Sequence, residues 1–292
     1  MFCCILLVHS VLFVVLSLYT DGNLYNIWNT STACQTVMDI FSYHILKKTV
    51  HGLACFTSSL TLSFWVVFTQ SVTDIISSTK CFPSQGNALA AAGGGSGSVK
   101  LWDTEKWKPI TSLSVPRPEG ARPDKTGSSK FVLSVAWSPD GKLLACGSMD
   151  GTIAVYDAVR MKFLHHLEGH HMAVRSMVFS PVDPHVLFTA CDDCHIHIYD
   201  AKEKSLIGAM SGHASWVLSI DVSPDGMAVA TGSSDRTVRL WDINTRASVQ
   251  TMSNHNDQVW AVAFRPPGGT GVRAGRLASV SDDKSITLYD YS

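Results

Sequence analysis

Charge is scarce in this sequence. Only 16% of the 292 residues are charged and the formal net charge is -1. No global basic field exists to draw in a polyanion, so direct nucleic-acid binding is not expected. A disulfide framework is missing too. Cys3, Cys4, Cys34, Cys55 and Cys81 fall early, and only Cys146, Cys191 and Cys194 follow. Three scattered thiols in the remainder look like a reduced, intracellular domain. A long unbroken apolar run is also lacking. The two richest stretches are Ile5–Leu18 and Leu53–Phe68. The first is short for a membrane span of roughly 20 residues. It is interrupted by His9 and Ser10, and it lacks the positive flank of a secretory signal. The second carries Thr57, Ser58, Ser59, Thr61 and Ser63, which weaken it as a span.

Composition changes near residue 81. Residues 1–80 hold three basic residues (Lys47, Lys48, Lys80) and three acidic ones (Asp21, Asp39, Asp74). Asn29-Thr30-Ser31 fits a glycosylation acceptor, a short pattern that chance produces often. This segment is atypical of the rest. It reads as a signal-like or membrane-like element, an isoform-specific replacement, or a gene-model artefact such as intron read-through.

From Asn87 onward the chain repeats itself. Five segments end in an aromatic-Asp pair: Ser98–Asp103, Thr152–Asp157, His195–Asp200, Thr237–Asp242 and Ser285–Asp290. The terminal aspartates are 54, 43, 42 and 48 residues apart. The two long intervals contain Pro116–Lys130 and Pro266–Arg276, whose Pro, Gly and charged residues suit surface loops. Within a period, short alternating runs rich in β-branched and aromatic residues predict four strands. In the third period these are Phe163–Leu167, Val174–Ser180, Val186–Ala190 and His195–Tyr199. Ser-Pro-Asp-Gly turns recur at Ser138–Gly141 and Ser223–Gly226, with a variant at Ser180-Pro181-Val182-Asp183.

A period of about 40–45 residues with Gly-His and Trp-Asp marks resembles the WD repeat. The resemblance implies an all-β propeller with five recognisable blades, one of them partial, out of an expected seven. Residues 85–292 would form it. Four aspartates precede the terminal Asp by seven residues: Asp150, Asp193, Asp235 and Asp283. In WD repeats this turn Asp bonds the Gly-His histidine, which connects onward to a Ser/Thr and the Trp. The histidines would be His170, His213 and His255, and Trp241 would close the fourth network. Tyr156, Tyr199 and Tyr289 stand where Trp is usual. Ser96 occupies the Asp position of the first blade, so its network is expected to be incomplete. The last blade has no downstream donor for its outer strand.

Two further motifs suggest cofactors, and the repeat accounts for both. Cys191-Asp192-Asp193-Cys194-His195 matches the C-x-x-C-H of haem attachment, and with His197 it offers soft metal ligands. Yet Cys191 falls where Ser148 and Ser233 sit, and Asp193 is a turn Asp. Gly93–Lys100 is glycine-rich but lacks the Gly-Lys-[Ser/Thr] ending and following helix of a phosphate loop. No cofactor, metal or catalytic residue is therefore expected. Asp–His pairs that recur once per blade are scaffold.

Lys130–Asp157, Ser211–Asp242 and Thr251–Ser292 carry a closer resemblance. With the Pro266–Arg276 insertion, they are similar to the plant vernalization-independence WD-repeat family, the counterpart of the WD-repeat superkiller subunit. This resemblance covers about residues 85–292. It implies a structural adaptor of two assemblies. One is the polymerase-associated-factor complex, which travels with RNA polymerase II in transcript elongation and histone modification. The other is the superkiller complex, which feeds mRNA to the exosome. It also implies a nuclear location with room for a cytoplasmic pool. The chain departs from the family at its front, where the first blades are replaced by residues 1–80.

Partner contact is expected where loops lead into each inner strand. Phe131, Ala173, Trp216 and Gln258 occupy equivalent positions there, with Leu133, Arg175, Leu218 and Trp260 two further on. Aromatic and Arg residues favour binding hot spots, so Phe131, Arg175, Trp216 and Trp260 are the candidates. Packing between blades would use the same residues. Two other functions compete. A substrate receptor of a cullin-type ubiquitin ligase often carries Trp-Asp-x-Arg, which Trp102–Glu105 and Trp241–Asn244 lack. A membrane-anchored propeller would use Ile5–Leu18.

Overall fold

The computed structural model describes residues 76–81, 89–94, 97–103, 108–116, 131–265 and 275–291. The readings placed on Ile5–Leu18, Asn29–Ser31, Leu53–Phe68 and Ser96 lie outside these residues. Among the described residues every regular element is a strand, and no helix is long and apolar enough to cross a membrane.

Five antiparallel sheets follow one another along the chain. The first joins β1 (Ile76–Cys81), β2 (Leu89–Gly94), β3 (Ser98–Asp103) and β4 (Lys108–Ser114). The second joins β5 (Val132–Trp137), β6 (Leu143–Ser148), β7 (Ile153–Asp157) and β8 (Lys162–Leu167). The third holds β9 (Val174–Phe179), β10 (Val186–Cys191), β11 (His195–Asp200) and β12 (Ser205–Ser211). The fourth holds β13 (Val217–Val222), β14 (Ala228–Ser233), β15 (Val238–Asp242) and β16 (Ser248–Met252). The fifth has three described strands, β17 (Val259–Phe264), β18 (Gly275–Ser281) and β19 (Ile286–Tyr291). The first strands touch in turn, β1 with β5, β5 with β9, β9 with β13 and β13 with β17. The sheets are therefore blades radiating from a line of inner strands, the β-propeller architecture.

The five blades among the described residues match the five recognisable in the sequence. The first blade is fuller than its periodicity shows, because Ile76–Cys81 pairs with β2 upstream of the recognisable repeat. Among the described residues the three-stranded blade is the fifth.

Turn chemistry sets the inner hairpins of the second, third and fourth blades. Ser138 Oγ donates to Asp140 Oδ1 at 2.6 Å and accepts from the Leu143 N–H at 2.9 Å. Gly141 and Gly226 close their turns at φ 71° and 73°, where a side chain would be strained. In the variant turn, the Val182 and Asp183 N–H groups both donate to Ser180 Oγ.

The core lies between blades rather than within them. One cluster joins Ala136, Leu143, Ala145, Ile153 and Val155 of the second blade to Val174, Met177, Phe179, Leu187 and Tyr199 of the third. Another joins Phe188, Ala190, Ile196 and Ile198 to Val217, Ile220, Val222, Val229 and Trp241. A single blade cannot bury its faces alone, so neighbours stabilise each other. The fifth blade shows the converse. Ile198 and Leu240 are 3% and 7% exposed, but Leu288 at the equivalent place is 45% exposed. No following sheet covers it among the described residues.

Candidate functional site

One polar network recurs in the third, fourth and fifth blades. In the fourth, His213 Nδ1 lies 2.8 Å from Asp235 Oδ2, and Nε2 lies 2.7 Å from Thr231 Oγ1. The indole N–H of Trp241 donates to Thr231 Oγ1 at 2.8 Å. An ionised carboxylate only accepts, so the Nδ1–H of His213 donates to Asp235. Every group in this buried relay then has a partner, which a low-dielectric interior demands. The third blade repeats it with His170 between Asp193 (2.6 Å) and Thr189 (2.7 Å). The fifth places His255 between Asp283 (3.0 Å) and Ser279 (2.7 Å). Asp150 of the second blade is exposed, and its carboxylate accepts the Thr152 N–H.

The network fixes charge. Burial pushes the Asp193 carboxyl up, but the hydrogen bond and charge of His170 and the His195 N–H outweigh it and hold the group down at about 2. Asp235 and Asp283 are held lower still against the same burial, by His213 with Thr237, and by Ser285 with the Asn256 N–H. His197 stacks on His170 with ring centroids 4.0 Å apart. Burial and that neighbour hold its imidazole down at about 4.

His170, Cys191 and Asp193 place ligand atoms within 4.8 Å of one another. The network accounts for this grouping. Both His170 nitrogens are engaged, and the Cys191 thiol donates to the Met172 carbonyl at 3.2 Å. Ser233 and Ser281 make the same bond to Ser215 and Asp257. Cys191 is thus a serine substitute whose thiol burial pushes up to about 12. Cys194 takes a φ of 71°, as Arg236 and Lys284 take 70° and 68° in the same turn.

The four positions at the entry to the inner strands, Phe131, Ala173, Trp216 and Gln258, are equivalent in space as well as in sequence. The carbonyls of Phe131, Ala173, Trp216 and Gln258 accept from the N–H groups of Met149, Asp192, Ser234 and Asp282. These bonds tie each loop entering an inner strand to the turn between the second and third strands. Trp216 is 45% exposed, while Phe131, Arg175 and Trp260 are half-buried. Arg175 and Trp216 come together across the boundary of the third and fourth blades, with Arg175 Cζ 5.7 Å from the indole centroid. Phe131 and Trp260 belong to the second and fifth blades.

Three residues of this end escaped the sequence reading. Met149 and Met172 are each 45% exposed. Asp192 holds Arg175 through two bonds, from Nε at 2.8 Å and Nη2 at 2.7 Å. Its only sequence signal is a carboxylate one place before the turn Asp, where Met149, Ser234 and Asp282 stand in other blades.

The family described as "WD domain, G-beta repeat" matches residues 122–157, 161–200, 204–242 and 246–290, together more than half of the chain. The chain belongs to this family. Among its relatives is the Arabidopsis thaliana "WD repeat-containing protein VIP3", 71% identical over 212 residues, which cover 72% of this chain and 66% of that protein. The Schizosaccharomyces pombe protein slp1 is 33% identical over 49% of this chain and 29% of its own length. Drosophila melanogaster groucho is 28% identical over 60% of this chain and 23% of its own. The chain thus spans just under two thirds of the Arabidopsis protein. WD-repeat proteins mediate protein–protein interaction, and the vernalization-independence resemblance read from the sequence is upheld by the Arabidopsis match.

Proposed function

We propose that this chain is a non-catalytic interaction platform within the RNA polymerase II-associated-factor complex, the superkiller complex, or both. It would serve transcript elongation and histone modification in the first and exosome-linked mRNA decay in the second. The observation that carries the reading is 71% identity to the Arabidopsis WD-repeat protein over 72% of the chain, together with the family role as an adaptor. The site chemistry supports it. Each buried His–Asp pair recurs blade by blade as scaffold, leaving its ring nitrogens and carboxylate committed to internal bonds.

Docking occurs at the end of the propeller that bears Phe131, Arg175, Trp216 and Trp260. Exposed Trp216, Met149 and Met172 give that end apolar anchors, of the kind that dominate binding energy. The protein works mainly in the nucleus, with a cytoplasmic pool serving the decay assembly. Immunopurification from plant cells with an antibody to residues 130–292, followed by mass spectrometry, tests the reading. Subunits of either assembly are the expected result. Cullin adaptor subunits in their place would overturn it.

A further inference from the structure

At two seams between blades at the docking end, the residue before the turn Asp reaches toward the next blade. Ser234 does this directly, its hydroxyl donating to Gln258 Oε1 of the next blade at 2.9 Å. Asp192 does it at second hand. Its two carboxylate oxygens grip Arg175 at 2.8 and 2.7 Å, and the guanidinium lies against Trp216 of the next blade. Asp192 is 6% exposed, whereas the indole it supports is 45% exposed.

We infer that Asp192 is a positioning residue for Trp216, acting through Arg175. This inference rests on the docking end proposed above. A two-point Arg–carboxylate pair fixes the plane of the guanidinium as well as its place. That plane then braces one side of the indole by cation–π contact. The tryptophan is held for a partner before the partner arrives, so less freedom is lost on binding. The pairing also changes the role of Arg175. Its charge is matched by Asp192, so it supports the apolar anchor and does not receive a partner's carboxylate.

The test uses the full chain and four variants: Asp192→Asn, Asp192→Glu, Trp216→Phe and Trp216→Ala. Subtracting the Trp216→Phe spectrum isolates the Trp216 signal among the eight tryptophans of the chain. In Asp192→Asn the near-UV dichroism of that component is lost and acrylamide quenches its emission more readily. Asp192→Glu, which keeps the carboxylate, restores part of both. Affinity for a purified subunit of either assembly falls about threefold to tenfold in Asp192→Asn, the loss expected when one side chain must be ordered on binding. An unchanged Trp216 signal in folded Asp192→Asn overturns the inference. So does a changed signal with unaltered affinity when Trp216→Ala still weakens binding. If Trp216→Ala binds fully, the docking end itself is refuted and the inference falls with it.

Discussion

Thr231→Val probes the buried relay with the least disturbance of shape. Valine has nearly the volume of threonine, so no cavity forms, but the hydroxyl disappears. His213 Nε2 loses its 2.7 Å partner and the Trp241 indole N–H loses its 2.8 Å acceptor. Thr231 is wholly buried and Trp241 is 1% exposed, so water cannot replace either bond. Leaving a buried polar group unsatisfied costs roughly 1–3 kcal/mol, and two groups are stranded, so the loss is about 3–4 kcal/mol. In a folded unit of this size that lowers Tm by roughly 6–16 °C. Urea unfolding followed by circular dichroism measures it, with the slope unchanged if only stability moves. A loss below about 1 kcal/mol would refute the reasoning, because it would mean that the relay is not satisfied from within.

Three further outcomes follow from the same geometry. Cys191→Ser keeps the bond to the Met172 carbonyl, as Ser233 and Ser281 show for theirs, so unfolding stability should stay within about 0.5 kcal/mol of wild type. Asp193 has a folded pKa of about 2 against an ordinary 3.8; a depressed carboxylate stabilises the fold above its ordinary pKa and loses that contribution as pH falls. On the order of 2 kcal/mol should therefore vanish between about pH 4 and pH 2, and Asp193→Asn should remove that part of the acid dependence in urea midpoints taken across pH. Gly226→Val should destabilise by about 2 kcal/mol or more in the same assay, since its φ is +73° and a Cβ there would sit 2.5 Å from Val182 Cγ2.

Much of the fold could be read from local chemistry. The Ser-Pro-Asp-Gly turns and the aromatic-Asp strand ends each lie within a few residues and recur along the chain, so sequence alone displays them and their period. His170, His213 and His255 were legible because each opens a period, 23, 22 and 28 residues before its turn Asp. Ile76–Cys81 was not legible, because ISSTKC carries none of the repeat marks and its role comes from pairing with β2. The Asp192–Arg175–Trp216 brace was hidden for a different reason. It crosses a blade boundary, and the blades differ at that position, with Met149, Ser234 and Asp282 in the place of Asp192. A contact made once, between side chains far apart in sequence, leaves no periodic trace.

Partner docking at the loop end that carries Trp216 and Trp260 is open to direct test. The direct measurement compares capture of polymerase-associated-factor and superkiller subunits by wild-type chain and by the double variant Trp216→Ala, Trp260→Ala, with thermal unfolding run alongside. The variant should stay folded and capture at least about tenfold less, the loss of a hot-spot residue. Full capture by a folded double variant would contradict it.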